Sequence, residues 1–122
     1  MDIITRGNNV YGPNQHPEKA IPKFSTLAKR GKKISIHVDG TAMRSYVHFD
    51  DTSSAFDVIL HRGTMAQIYN IGSREERTIL SVARDVRKLL DSDPETIVEH
   101  VSNRAFNDRR YFTDCLKLLA LG

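Results

Sequence analysis

Two kinds of hydrophobic spacing alternate along this chain, and the alternation constrains its fold more than any other feature. Short β-branched or alternating runs are typical of strands, whereas apolar residues at i, i+3, i+4 and i+7 are typical of helices. Strands are predicted at residues 2–6, 34–38, 43–49, 67–71 and 97–101. Helices are predicted after the first, third and fourth of these runs and at the end of the chain, at 115–121, whereas a turn at Asp39-Gly40 separates the second run from the third. This order predicts a mixed α/β fold and excludes a helical bundle or a β-sandwich.

Capping and breaking residues define the helices more closely. Pro17 suits the first turn of a helix that runs to about residue 30 and stops at Gly31. Asp51 or Thr52 can cap the second helix, which ends at Gly63. The third helix starts between residues 73 and 78 and ends at Pro94. Its apolar stripe consists of Ile79, Val82, Ala83, Val86, Leu89 and Leu90.

The chain opens directly on the first predicted strand, with no preceding turn or cap. The strand runs into GNNVYGPNQHP, residues 7–17, whose Gly, Asn and Pro content predicts a long loop. A strand at the very start indicates a fragment of a longer protein. We therefore expect this strand to leave an exposed edge and an uncovered apolar face, which are features that favour association.

The composition limits the possible partners and compartments. A net charge of +3 favours an anionic partner, and the longest apolar runs are far too short to span a membrane. The first residues lack the pattern of a secretion signal, and the single Cys115 excludes an internal disulfide, so a cytoplasmic location is predicted. The five histidines show no metal-ligand spacing, so no metal site is predicted.

Two polar clusters near the predicted strands are candidates for ligand binding. Residues 8–13, NNVYGP, could read a sugar hydroxyl or a carbonyl, although Asn, Gly and Pro are also common turn formers. Arg44 and Asn70 form the second cluster, each on a predicted strand. Arg44 could contact a ligand or pair with an acid such as Asp50 or Asp51, and the sequence leaves both open.

The third cluster is the arginine-rich stretch at residues 103–111, NRAFNDRRY. Arg104, Arg109 and Arg110 together offer many donors suited to phosphate oxygens. The alternative is a surface network of ion pairs with Asp108 and Asp114.

Several nucleotide-binding and catalytic motifs are missing from the sequence. The seven glycines form neither G-x-G-x-x-G nor a P-loop, and no tyrosine is followed four residues later by lysine. A self-contained oxidoreductase site therefore cannot be assembled, and no catalytic residue is assigned. A KRGKK cluster, residues 29–33, could bind nucleic acid, but no aromatic stacking platform accompanies it, so no nucleic-acid partner is predicted.

The chain resembles the C-terminal part of the nucleotide-sugar 4,6-dehydratases, which are extended short-chain dehydrogenase/reductases. The segments that carry the resemblance are ITRGNNVYGPNQHPEKAIPKF, MRSYVHFDD, QIYNIGSREERT, NRAFNDRRYFTD and LKLLALG. The chain is most similar to the UDP-glucose 4,6-dehydratase module of plant-type rhamnose synthases, on the basis of IHVDG and the RSY and FND triplets.

This resemblance implies a fold and a cofactor. The chain would supply the last part of a Rossmann-type domain, a late strand and loop at residues 1–16, and the small mixed α/β substrate-binding domain at residues 17–122. Family enzymes use tightly held NAD to oxidise the glucose C4 hydroxyl, eliminate water and return the hydride to C6. Their glycine-rich turn, Tyr-x-x-x-Lys pair and Asp-Glu pair would all lie upstream, so this chain alone is not expected to bind NAD tightly.

The resemblance also assigns binding roles to residues in each polar cluster. The residues placed at the sugar nucleotide are Asn9, Lys19, His37, Arg44, Asn70, Arg104, Asp108 and Tyr111. Among them, His37 would meet the base, and Arg44, Asn70 and Arg104 would contact the pyrophosphate. Asn8 is expected near the nicotinamide of NAD.

Two functional hypotheses follow. In the first, the chain is the substrate-binding portion of an NAD-dependent dehydratase acting on UDP-glucose or dTDP-glucose, and it is inactive alone. In the second, it is a noncatalytic or vestigial interaction module of the same family, which could form a dimer with a complete dehydratase subunit. Whether the chain is itself an enzyme is left open.

Overall fold

The computed structural model describes residues 2–37, 40–92, 98–102 and 110–122; for Val98–Val101 and Tyr111 it describes the backbone. The strands are β1 (Ile4–Gly7), β2 (Asn9–Tyr11), β3 (Ile34–His37), β4 (Met43–His48), β5 (Ile68–Ile71), β6 (Glu76–Thr78), β7 (Val98–Val101) and β8 (Arg110–Tyr111). The helices are α1 (Ala20–Lys29), α2 (Phe49–Arg62), α3 (Ile79–Leu89) and α4 (Leu116–Leu119). The predicted mixed α/β architecture is confirmed.

The chain divides into two compact units, each assembled from separate segments. The first unit comprises Met1–Gly12, Ser45–Glu76 and Tyr111–Gly122, and the second comprises Pro13–Arg44 and Arg77–Arg110. One sheet has the strand order β2-β4-β6, with β8 also paired to β4. The predicted division at residue 16 stays a prediction.

In the first unit, β1 pairs in parallel with β5, so that Ile4 lies opposite Ile68 and Gly7 opposite Ile71. Helices α2 and α4 pack against β5. The buried centre of this core is formed by Ile59, Tyr69 and Ile71, with Ile3, Ala55, Leu118 and Leu121 packed around it. The Thr64 N–H donates to the Tyr69 hydroxyl at 2.9 Å, so the polar atom of this buried ring is satisfied.

In the second unit, β3 pairs in parallel with β7, from Ile34 opposite Val98 to His37 opposite Val101. Helices α1 and α3 pack on each other and on β3. Alternation along β3 buries Ile34 and Ile36 completely. The helices contribute Phe24, Ala28, Val82, Ala83 and Val86 to this core.

The segment predicted as a long loop contains a strand. Residues 9–11 pair in parallel with β4, where Asn9 lies opposite Tyr46 and Tyr11 opposite His48. The prediction was wrong here because a ladder with a distant segment outweighed the local turn preference of Asn and Gly. The short strands β6 and β8 were also missed.

The start of α2 differs from the prediction as well. The helix begins at Phe49, and its cap is His48, whose Nδ1 accepts from the Asp50 N–H at 3.4 Å. Asp51 and Thr52 therefore lie within the helix, and neither caps it. Helix α3 begins at Ile79, one residue after the predicted window, and its cap is Thr78, whose hydroxyl accepts from the Ser81 N–H at 3.1 Å.

The apolar faces of the helices are only partly buried. On α2, Ile59 is 3% exposed, whereas Phe56 and Leu60 are 50% and 77% exposed. On α3, Leu89 is 84% exposed although it belongs to the predicted stripe. Helical periodicity identifies an apolar face, but whether the face is buried depends on what packs against it.

The contrast between Ile59 and its neighbour gives a first test. Ile59→Ala should lower the free energy of unfolding by about 2–5 kcal/mol, because it opens a cavity in the core of the first unit. Leu60→Ala makes the same kind of change on an exposed position and should cost less than about 1 kcal/mol. Urea unfolding followed by circular dichroism measures both, and equal losses would show that Ile59 is not a core residue.

Candidate functional site

The second unit contains a cavity of about 250 Å³. Its walls come from the start of α1, the strand β3, the start of β4 and the first residue of α3. The lining residues are Glu18, Ala20, Lys23, Phe24, Ser35, Ile36, His37, Ala42, Arg44 and Ile79. The cavity thus combines an apolar floor with a few polar and charged groups, as is typical of small-molecule sites.

The charged groups of the cavity favour an anion. Lys23 and Arg44 contribute two cations, against the single carboxylate of Glu18. Arg44 Nη1 donates to the Met43 carbonyl at 2.7 Å, which holds the guanidinium at the wall. A planar guanidinium can bind two oxygens of one phosphate, whereas the Lys23 ammonium acts as a point charge.

His37 has a defined hydrogen-bonding role at the cavity. Its Nδ1 lies 3.2 Å from the Ser102 carbonyl oxygen. A carbonyl oxygen only accepts, so Nδ1 carries the proton and donates to it. In the neutral ring, Nε2 is then an acceptor that can receive a ligand N–H.

Lys19 and Lys23 show what the sequence analysis missed. Lys19 is the N-cap of α1 without a side-chain capping bond, and it does not line the cavity. Lys23, one helical turn later, does line it, together with Glu18 and Ser35. The i, i+4 spacing places Lys19 and Lys23 on one side of the helix, so this spacing could have identified Lys23.

Asn8 and Asn9 lie in the first unit. Asn8 Oδ1 accepts from the Asn9 N–H at 3.0 Å, and Asn9 Nδ2 lies 3.4 Å from the Ser45 carbonyl oxygen, to which it donates. Asn8 Nδ2 is buried and has no hydrogen-bond partner among the residues that the structure describes. A buried amide donor without a partner is costly, so Asn8 has donor capacity to offer to a ligand.

Asn70 is used within the first unit. Its Nδ2 donates to the Asp114 carbonyl at 2.9 Å, which ties the end of β5 to the segment before α4. The fully buried Ser45 ties β4 to the turn after β5, because its hydroxyl donates to the Ser73 carbonyl at 2.7 Å. Asn70 therefore positions the backbone before α4.

Cys115 lies under the turn that follows β5. A Cβ added at Gly72 would come within 3.1 Å of Cys115 Sγ and 3.6 Å of Asn8 Nδ2, so glycine allows this close approach. Burial raises the pKa of the Cys115 thiol, and the Asp114 carboxylate raises it further. The thiol therefore stays protonated and unreactive at neutral pH.

The predicted site residues fall into three groups. Asn8, Asn9 and Asn70 belong to the first unit, and Lys19, His37 and Arg44 belong to the second. Arg104 and Asp108 lie outside the described residues, as does the side chain of Tyr111, whose backbone is in β8. The expectation that these residues converge on one cleft stays a prediction.

The described part of the chain was also expected to lack a metal site and a membrane span. Within residues 2–37, 40–92, 98–102 and 110–122, no group of three His, Cys, Asp or Glu side chains could hold a metal ion. In the same described part of the chain, no helix has the length and apolar character to cross a membrane.

Comparison with known proteins gives consistent matches. Residues 3–72 match the model of the NAD dependent epimerase/dehydratase family. The chain is 54% identical over 120 residues to a trifunctional UDP-glucose 4,6-dehydratase/UDP-4-keto-6-deoxy-D-glucose 3,5-epimerase/UDP-4-keto-L-rhamnose-reductase of Arabidopsis thaliana. That match covers 98% of this chain and 18% of the relative.

Two solved structures closely resemble the structure of this chain. One is the dTDP-glucose 4,6-dehydratase of Bacillus anthracis in complex with NAD, with a TM-score of 0.89 and 40% identity over 97% of this chain and 37% of the other. The second is the dTDP-glucose 4,6-dehydratase DesIV of Streptomyces venezuelae with NAD bound, with a TM-score of 0.90 and 36% identity over 97% of this chain and 36% of the other. This chain thus spans less than two fifths of each relative.

Both solved relatives hold NAD, which confirms the cofactor predicted for the family. In this chain, the unpartnered Nδ2 of Asn8 fits a hydrogen bond to an acceptor on such a cofactor. The sequence encodes no glycine-rich turn to hold the pyrophosphate of NAD. The residues present therefore fit one edge of an NAD site.

The raised pKa of the Cys115 thiol, which lies beside Asn8 and Gly72, can be tested by alkylation. The rate of its alkylation by iodoacetamide should rise with pH, because only the thiolate reacts. The midpoint of that rise should lie above the midpoint for an ordinary thiol, because the pKa of Cys115 is raised. Asp114→Asn keeps an oxygen to accept the Leu116 N–H but removes the charge. It should therefore lower the pKa and speed alkylation at neutral pH, and an unchanged rate–pH profile would contradict the assigned cause.

Proposed function

Because the chain belongs to the NAD dependent epimerase/dehydratase family, we propose that it holds the nucleotide part of UDP-glucose or dTDP-glucose for a 4,6-dehydratase reaction. The cavity of the second unit carries this proposal, because it joins two cations to an apolar wall. The names of the relatives support the reaction class, since they are 4,6-dehydratases. A cytoplasmic location is part of the proposal, because a chain with a single cysteine forms no internal disulfide of the kind common in secreted proteins.

The size of the cavity limits what it can enclose. About 250 Å³ is below the roughly 300–1,000 Å³ of pockets that enclose a whole drug-sized ligand. It suits one portion of a sugar nucleotide and not the whole molecule. The remaining portion then extends to other groups, for which Asn9, Lys19 and Asn70 are proposed by resemblance, as are Arg104, Asp108 and Tyr111.

The cavity residues suggest distinct roles in nucleotide binding. Lys23 and Arg44 would neutralise the pyrophosphate, and His37 would accept the imide N–H of the pyrimidine through Nε2. Uracil and thymine both carry that N–H, so His37 would bind UDP and dTDP sugars alike. Selection between the two would then depend on room for the ribose 2′-hydroxyl and the thymine methyl group.

Arg44→Ala tests the nucleotide-binding role of the cavity. It should weaken UDP-glucose binding by about ten- to a hundredfold, because a hydrogen bond to a charged group contributes about 1.5–3 kcal/mol. Arg30→Ala removes the same charge at an exposed position outside the cavity and should stay within about twofold of wild type. Isothermal titration calorimetry provides the comparison. Equal effects of both substitutions would mean that binding is not at the cavity.

The reaction itself has a separate test. The purified 122-residue chain, incubated with UDP-glucose and NAD, should form no 4-keto-6-deoxy product, because it lacks the glycine-rich turn and the Tyr-x-x-x-Lys pair. Mass spectrometry distinguishes the product from the substrate by the loss of one water. A complete dehydratase run in parallel serves as the positive control. Turnover by the chain alone would refute its assignment as a binding portion.

A further inference from the structure

The hydrogen bond of His37 decides which atom of its ring can meet a ligand. Nδ1 lies 3.2 Å from the Ser102 carbonyl oxygen and donates to it. Within the described part of the chain, this carbonyl is the hydrogen-bond partner of the ring. Nε2 is therefore the polar atom that His37 brings to the cavity, and in the neutral ring it carries a lone pair and no proton.

Strand pairing holds this arrangement of the ring. His37 ends β3 and lies opposite Val101, the last residue of β7, so Ser102 follows directly beyond the paired residues. Rotating the ring by half a turn would take Nδ1 away from the carbonyl, and moving the proton to Nε2 would set two acceptors against each other. Both changes lose the hydrogen bond. The ring thus presents an acceptor in one fixed orientation.

Ser35 is a second polar group on the same face of β3. Side chains alternate along a strand, so Ile34 and Ile36 are buried while Ser35 and His37 are half-buried on the opposite face and line the cavity. The Ser35 hydroxyl makes no side-chain hydrogen bond to the residues that the structure describes. A hydroxyl can rotate either to donate or to accept. Unlike His37, Ser35 can therefore adapt to either kind of ligand atom.

The pyrimidine bases differ at the ring position that a fixed acceptor would recognise. Uracil and thymine carry an N–H between two carbonyl groups. Cytosine has a ring nitrogen with a lone pair at the same position, between a carbonyl and an amino group. An N–H would complete a hydrogen bond to Nε2 of His37, whereas the cytosine nitrogen would leave both lone pairs without a donor. A site built to pair with an N–H rejects analogues that lack it.

We propose that His37 restricts the cavity to nucleotides whose base has an N–H between two carbonyls, so that uracil and thymine nucleotides bind and cytosine nucleotides are rejected. His37 determines the specificity because its acceptor is fixed. Ser35 adds affinity for a base oxygen or amino group without choosing between them. This inference rests on the proposed function, since it requires the nucleotide to bind at the cavity.

The comparison of UDP with CDP tests the inference on the wild-type chain. Isothermal titration calorimetry at about pH 8, where histidine side chains are commonly neutral, should show UDP binding at least about tenfold more tightly than CDP, because CDP leaves the acceptor unpaired. A UDP analogue in which a methyl group replaces the ring N–H should bind as weakly as CDP. If CDP or the methylated analogue binds within about twofold of UDP, the inference is wrong.

Two substitutions on β3 separate specificity from affinity. His37→Gln replaces the fixed acceptor by an amide that can turn either its oxygen or its nitrogen to the base, so UDP and CDP should bind within about threefold of each other. Ser35→Ala should weaken both nucleotides by a similar factor and keep the wild-type preference for UDP. The ratio of the two affinities is measured on the same folded molecules, so partial unfolding of a variant does not change it. A full preference for UDP in His37→Gln, or its loss in Ser35→Ala, would overturn the inference.

The outcomes distinguish this inference from the function on which it depends. Arg44→Ala should weaken UDP and CDP alike, because both carry the same pyrophosphate, and it should leave the preference for UDP unchanged. Failure of both nucleotides to bind the wild-type chain would refute the proposed function and the inference with it. Binding of UDP that Arg44→Ala weakens, together with equally tight binding of CDP, would refute the inference alone.

Discussion

Parallel strand pairing is the constraint on which the rest of this structure depends. The registered pairs β1–β5, β2–β4 and β3–β7 are all parallel, and each joins segments that are far apart in the sequence. A parallel pair cannot be closed by a tight turn, so the chain between the two strands must form helices or further strands. The two compact units are consequently built from interleaved segments and not from consecutive halves.

The chemistry of the cavity follows from this pairing. His37 is the last residue of β3 and lies opposite Val101, the last residue of β7. The next residue, Ser102, can therefore present its carbonyl to the His37 ring, and this contact sets the tautomer. A one-residue slip would turn the alternate residues of β3 over, moving Ile34 and Ile36 out of the core and His37 into it. Core packing and the position of the His37 ring at the cavity thus depend on the same register.

Much of this fold was predictable from spacing, whereas the contacts between distant segments were not. The stripe of α3 and the alternation in β3 are strong local signals, and both elements formed where expected. β2 was missed because its Asn-rich sequence favours turns, and only pairing with β4 makes it a strand. The His48 cap of α2 was missed because aspartate is a commoner N-cap residue than histidine. His37 was named from resemblance, and Arg44 from its place on a predicted strand as well as from resemblance. Both line the cavity, but Lys23 could be recognised only from its helical spacing to Lys19.

The size of the cavity limits how much of a sugar nucleotide the second unit can hold. A cavity of about 250 Å³ encloses only part of a sugar nucleotide, so most of the binding energy must come from groups beyond it. Asn9 and Asn70, which are proposed from resemblance as further contacts, do not line the cavity. Removing Arg44 alone is therefore expected to weaken binding and not to abolish it.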